Sequence, residues 1–256
     1  MKLPRLGLGL LLCGLVACSV ASAADTRVYE LRTYTTAPGK RDALLARFRD
    51  HTTRLFEKHG MTNVGYWVPA ESKDGGDDKL VYLLSYPSRD AAKESWKAFS
   101  ADTDWQKVRK ESEAAGKILA KPPESVFLTP TDYSKAMAAS KKGAPARVVE
   151  MRTYTAPEGK LGALDARFRD HTLALFAKHG ITNLGYFHPL DADKGAGNTL
   201  IYFIAHKDRA AADASWKAFR EDADWQKALT ASQKDGKLTT KVESVYLTPT
   251  DFSALK

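Results

Sequence analysis

The chain has 256 residues, 43% of them hydrophobic and 27% charged, which suits a globular protein of one or two domains with a substantial core. Both cysteines, Cys13 and Cys18, lie near the N-terminus, so everything downstream is without disulfides, thiol catalysis or Cys-ligated metal. The formal charge of +8 comes from bases interleaved with acids. It forms no long basic block, so it reads as a solvated surface and not as a nucleic-acid footprint.

The first element is a leader. Lys2 and Arg5 precede an uncharged, leucine-rich run from Leu6 to Ala17, and Ala21-Ser22-Ala23 supplies the small-x-small pattern of a cleavage site. Export is the expectation, periplasmic or secreted, with residues 1–23 a signal peptide removed before Ala24. A competing reading stays open: Leu15-Val16-Ala17-Cys18 resembles a lipobox, in which Cys18 would be acylated and the protein tethered to a membrane surface. The very short tether before the first strand weighs against it. No later segment approaches the run of about 18 apolar residues needed to span a bilayer.

Beyond the leader, one unit is written twice. Val28-Tyr29-Glu30-Leu31-Arg32-Thr33-Tyr34 recurs as Val148-Val149-Glu150-Met151-Arg152-Thr153-Tyr154, an offset of 120 residues. Arg47-Phe48-Arg49-Asp50-His51-Thr52 returns unchanged at Arg167 to Thr172, and Ser95-Trp96-Lys97-Ala98-Phe99 at Ser215 to Phe219. The ending Leu128-Thr129-Pro130-Thr131-Asp132 returns at Leu247 to Asp251, one residue out of step because the first copy carries an extra residue near Pro122. The domains are therefore 26–133 and 147–253. Residues 134–146, rich in Ala, Ser and Lys, read as a linker.

Within a copy, residues 28–34 alternate as a strand does, Tyr29, Leu31 and Thr33 facing one way and Glu30, Arg32 and Tyr34 the other. From Gly39 to His59, Leu44, Phe48, Leu55 and Phe56 fall at helical spacing, and Gly60 is a natural terminator. Strands follow at residues 64–68 and 80–86. A second helix spans 91–116, broken near Asp102–Asp104 where an Asp can cap a new turn. A closing strand covers residues 125–128. The order β-α-β-β-α-β is the split ferredoxin-like arrangement of an α+β fold. Each copy leaves one sheet face bare, and the two copies can cover each other, giving a pseudo-dimer within one chain.

The opening Val-Tyr-Glu-Leu-Arg-Thr-Tyr, the Gly-Lys helix start, the His-Gly helix end and the Trp-Lys-Ala-Phe…Asp-Trp segment resemble the NIPSNAP family. The resemblance covers nearly the whole chain after the leader. It implies the fold of the dimeric α/β-barrel superfamily, here an intramolecular barrel, and it implies no particular reaction, because that superfamily hosts several chemistries.

Candidate site residues follow from position. Glu30, Arg32 and Tyr34, with Glu150, Arg152 and Tyr154, are expected between the two sheets, as a paired polar ladder or as an interior anion site on Arg32 and Arg152. His51 and His171 are expected on the sheet-facing side of the first helix, as a base, a ligand contact or a hydrogen-bonded core histidine. His59 and His179, next to the terminating glycine, suit helix capping. No metal or cofactor motif is found: the histidines of a copy stand eight apart, and His188 and His206, present only in the second copy, fall toward opposite ends of a hairpin. The functional expectation is an exported, non-catalytic module that binds a small or lipid-like ligand or a protein partner. The alternative is a cofactor-independent oxygenase or isomerase with His51 or His171 as proton acceptor.

Overall fold

The computed structural model describes residues 26–256. The leader, with the cleavage site before Ala24 and the alternative lipidation at Cys18, lies outside the described residues. The first repeat runs β1 (Val28–Thr35), α1 (Arg41–Arg47), a π turn (Phe48–Thr52), α2 (Thr53–Lys58), β2 (Thr62–Pro69), β3 (Lys79–Tyr86), α3 (Arg89–Ala101), α4 (Thr103–Ser112) and β4 (Glu124–Pro130). The second runs β5 (Val148–Thr155), α5 (Leu161–Arg167), a π turn (Phe168–Thr172), α6 (Leu173–Lys178), β6 (Thr182–Pro189), β7 (Thr199–His206), α7 (Arg209–Glu221), α8 (Ala223–Ser232) and β8 (Lys241–Pro249).

Local chemistry sets these boundaries. The break between α3 and α4 is made by Asp102, whose carboxylate accepts from the amides of Asp104 and Trp105 at 2.8 and 3.4 Å, satisfying the first free donors of α4. Asp222 does the same for α8. Gly60 ends α2 with φ at +77°, a left-handed conformation that favours glycine.

The first helix is not the uninterrupted one its spacing predicts. At Phe48–Thr52 it widens into a π turn, and Thr52 Oγ1 donates to the Arg47 carbonyl five residues back at 3.0 Å. The extra residue delays the helix phase by one. In a regular helix position 51 would follow 44 and 48 on the buried stripe; here Thr52 takes that place and His51 is turned to solvent. His171 is displaced outward in the same way.

The eight strands close into one barrel in the order β1-β3-β2-β8-β5-β7-β6-β4. Closure is reciprocal. β4 pairs with β1 of its own repeat and with β6 of the other, and β8 pairs with β5 and with β2. The interior is filled by apolar side chains of both repeats, among them Tyr29, Leu31, Trp67, Leu83, Phe187 and Phe203. Trp67 stacks on Phe203 at 5.7 Å, and Tyr29 meets Phe187 at 4.8 Å.

That packing corrects the facing expected for the first strand. Tyr29 and Leu31 point into the barrel, whereas Glu30, Arg32 and Tyr34 point outward, beneath the helices. The reason is solvation. The barrel centre is apolar, so a carboxylate there would lack partners, while the helix side offers an indole, a hydroxyl and a phenol.

After each closing strand the chain crosses onto the other repeat. Ser134 Oγ accepts from the Tyr186 amide at 2.9 Å, and Arg169 forms a two-pronged pair with Asp132 at 2.9 and 2.7 Å. Reciprocally, Ser253 Oγ accepts from the Tyr66 amide at 2.9 Å, and Arg49 grips Asp251 at 2.6 and 3.0 Å. The segment 134–146 is more than a linker: its Met137 is buried in the barrel core, as is Leu255 after the second repeat.

Candidate functional site

The outward face of β1, or of β5, and the helices over it border a cleft in each repeat; a polar floor of Glu150 and Arg152 lines the second, whereas the matching Glu30–Arg32 pair lies beside the first. Glu30 is buried, and both its oxygens are occupied. Arg32 Nη1 and Ser125 Oγ donate to Oε1 at 2.5 and 2.6 Å, and Trp96 Nε1 and Tyr86 Oη donate to Oε2 at 2.7 and 2.8 Å. The Arg32 guanidinium lies 4.3 Å from the Trp96 ring centre and 5.6 Å from that of Tyr34. Burial alone would lower the pKa of Arg32, but Tyr82, Tyr34 and Glu30 around it hold it above its ordinary value. A carboxylate so fully hydrogen-bonded has no lone pair left to act as a base.

Next to this pair the first repeat holds a cavity of about 510 Å³. Tyr34, Phe48, Phe56, Phe99 and Trp105 give it aromatic walls, and Arg47, Arg109, Lys117 and Lys121 give it a basic rim. Arg47 is only 5% exposed. It pairs with Glu113 at 3.0 Å and lies 5.4 Å from the Trp105 ring centre. The far wall is the segment from Leu119 to Pro123. Pro122 and Pro123 have no amide hydrogen to give a sheet, and β4 begins only at Glu124, opposite Thr33.

The second repeat differs at this point. Without the extra residue, β8 starts at Lys241 and adds two further pairs, Tyr154 with Val242 and Thr155 with Lys241. The sheet extends where the first repeat is open. The cavity of the second repeat, also about 510 Å³, is shifted toward Glu150, Arg152, Trp216 and Tyr246. His206 stands where the first repeat has Tyr86, its Nε2 3.0 Å from Glu150. Burial would raise the Glu150 pKa, but His206, Arg152, Ser244 and Trp216 together push it down to about 2.

The structure thus brings Tyr34 to the first cleft and Arg152 with Tyr154 to the second, while Arg32 stays beside Tyr34 outside the cavity lining. It does not bring His51 or His171 there. His51 borders a separate shallow groove with Asp50 and Glu111. His59 and His179 are bonded to Asp102 and Asp222 at 2.6 Å each and brace the end of the first helical segment against the second. His188 bonds Asp165 at 3.1 Å, and the same oxygen accepts from Tyr133 at 2.7 Å. Among the described residues no three His, Cys, Asp or Glu side chains gather as metal ligands, and no helix is long and apolar enough to cross a membrane. Arg47, Trp96 and Trp105 were not among the sequence-derived site residues. An arginine and two tryptophans repeated at the same spacing in both copies are the signal that marks them.

Two ferredoxin-like halves closed into one eight-stranded barrel define a dimeric α/β-barrel protein with both halves in a single chain. The chain belongs to the NIPSNAP family, which matches it twice, over residues 29–135 and 149–254. Among solved structures, a protein from Lactobacillus acidophilus NCFM provisionally named a monooxygenase is similar at 11% identity, over 90% of this chain and 97% of its own, with a TM-score of 0.57. An anthrone oxidase-like protein is similar at 14% identity, over 91% of this chain and 95% of its own, with a TM-score of 0.55. A NIPSNAP family protein from Agrobacterium tumefaciens str. C58 aligns at 21% identity over 42% of this chain and 95% of its own, with a TM-score of 0.37. Identities this low carry the fold and not the chemistry. No curated protein matches the chain.

Proposed function

We propose that this is an exported binding protein whose first-repeat cleft takes a compact, largely aromatic or lipid-like small molecule. The observation that carries the reading is the cavity walled by Tyr34, Phe48, Phe56, Phe99 and Trp105, with the buried Arg47 as its polar anchor. Its volume lies within the range of small-molecule sites, about 300–1,000 Å³. Non-catalytic binding is favoured because Glu113, the carboxylate of the cavity wall, is paired with Arg47 at 3.0 Å, and His51 and His171, the expected proton acceptors, are in solvent. The alternative, a cofactor-independent oxygenase or isomerase, draws on the names of the structural neighbours and would have to use Tyr34 or Tyr154 in place of a histidine.

Native mass spectrometry of the protein purified from its own cell envelope, intact and then denatured, tests the reading. A released small molecule is expected, and it should be absent from a folded Leu119→Trp variant that fills the cavity. A ligand retained undiminished by that variant would place the site elsewhere. The same spectrum reads the N-terminus, where a chain starting at Ala24 supports export by simple cleavage and a lipidated Cys18 supports a membrane tether.

A further inference from the structure

The two cavities match in volume, about 510 Å³ each, and differ in charge. Among the residues that line the second, Arg152 and Arg220 balance Glu150 and Asp213. The first is lined by Arg47, Arg109, Lys117 and Lys121 against a single acid, Glu113. That acid is already shared, pairing with Arg47 at 3.0 Å and with Arg109 at 3.7 Å. Lys121 has Glu124 beside it, outside the lining, and Lys117 has no acidic partner among the described residues. Four bases against these two acids leave an excess of two positive charges.

The excess has a definite place. Phe48, Phe56 and Phe99 are buried and form the inner wall, whereas Arg109, Lys117 and Lys121 are exposed. The cavity is apolar within and cationic at its mouth. A cleft with low-dielectric walls and charge of one sign concentrates ions of the opposite sign. The second repeat does not reproduce this: Leu229 replaces Arg109, and Lys237 and Lys241, the copies of Lys117 and Lys121, lie outside the lining of its cavity. The sheet makes the difference. Where β8 pairs from Lys241 onward, the first repeat has Pro122 and Pro123, and the segment carrying Lys121 forms cavity wall instead.

We propose that the first-repeat cleft binds an amphiphilic organic anion, its apolar body against Phe48, Phe56 and Phe99 and its acidic head at the mouth among Arg109, Lys117 and Lys121. This rests on the reading of that cleft as a small-molecule site and adds the charge of the occupant. Arg47 stays paired with Glu113, so the exposed bases and not the buried one meet the head group.

The test titrates the full chain by calorimetry with three probes that share one alkyl chain and differ in charge: octanoate, 1-octanol and octylammonium. The wild-type protein should bind octanoate at one site per chain, about tenfold more tightly than 1-octanol, with octylammonium weaker still. Arg109→Leu gives the first repeat the side chain that the second carries at position 229, so the fold tolerates it. Arg109→Leu and Lys117→Gln should each weaken octanoate by about threefold more than they weaken 1-octanol. Added salt should narrow the gap between the two probes, and Leu119→Trp should abolish binding of both. Equal affinity for octanoate and 1-octanol, or octanoate binding indifferent to both charge variants, would overturn the inference and leave the small-molecule reading standing. No binding of any probe by the folded wild-type chain, or octanoate binding undiminished by Leu119→Trp, would overturn both.

Discussion

The two repeats are nearly the same object in the layer beneath their helices and different objects at their clefts. Phe48, Phe56, Tyr66 and Tyr82 of the first repeat recur as Phe168, Phe176, Tyr186 and Tyr202 of the second, and Tyr66 stacks on Tyr82 at 5.3 Å just as Tyr186 does on Tyr202. Differences stand around the cleft, with Tyr86 against His206, Glu113 against Gln233, Arg109 against Leu229 and the extra residue at Pro122–Pro123, and also inside the barrel, with Tyr29 against Val149 and Trp67 against Phe187. Packing leaves little freedom in a core, where a change of one methylene is felt. A cleft wall can change charge or length without disturbing the layers behind it. The comparison therefore separates what the helix-covered layer requires from what can vary around each cleft.

The largest effect should come from removing the cation under the helices. Arg32→Leu strands Glu30 in a buried site and should cost about 3–5 kcal/mol in urea unfolding. Arg152→Leu should cost less, because Glu150 keeps beside it the His206 ring, with Nε2 at 3.0 Å. Equal losses would break the distinction between the repeats. The next effect is in acid. The Glu150 pKa falls from an ordinary 4.5 to about 2 on folding, so its contribution is complete above about pH 4.5 and disappears as the pH falls toward 2. That interval should cost about 3 kcal/mol of stability, and Glu150→Gln should flatten it.

Smaller effects probe the barrel interior. A Cβ at Gly65 would meet the stiff Trp67 ring at 2.3 Å, whereas at Gly185 it would meet Met137 and Phe187 at 2.8 Å. Gly65→Ala should cost about 1–3 kcal/mol and Gly185→Ala less, since methionine can move aside. The smallest effect belongs to the clasps. Arg49→Ala and Arg169→Ala each remove an exposed ion pair, and both should shift the melting temperature by little more than measurement error.

Much of the fold was legible in the sequence because it rests on local rules. The offset of 120 residues gave the duplication, alternation at 28–34 gave a strand, and Asp102 announced the helix break. What was not legible is instructive. Alternation tells which residues share a face, but in a strand covered on both sides it does not tell which face meets the helices. Glu30 settles that through Trp96, 66 residues away, and Ser125, 95 residues away. The π turn was hidden because a helix with one added residue keeps nearly the same apolar spacing, yet that residue is enough to move His51 out of the cleft. Arg47 looked like one more surface base, and only the fold shows it buried against Trp105.

The crossed strands β4 and β8 have a last consequence, for behaviour on dilution. Had the two halves been separate chains, each would depend on a partner's strand to cover the edge at β2 or β6, and the barrel would fall apart as concentration dropped. Joined end to end, each half meets the other at a local concentration set by the connecting segment and not by the surroundings. The unfolding midpoint should therefore be the same at nanomolar and micromolar protein. The joined chain also escapes a constraint that binds every symmetric pair: a substitution in one half need not be repeated in the other. Glu113 and Gln233 could part company only because they are encoded separately, and one barrel can in this way carry two unlike clefts.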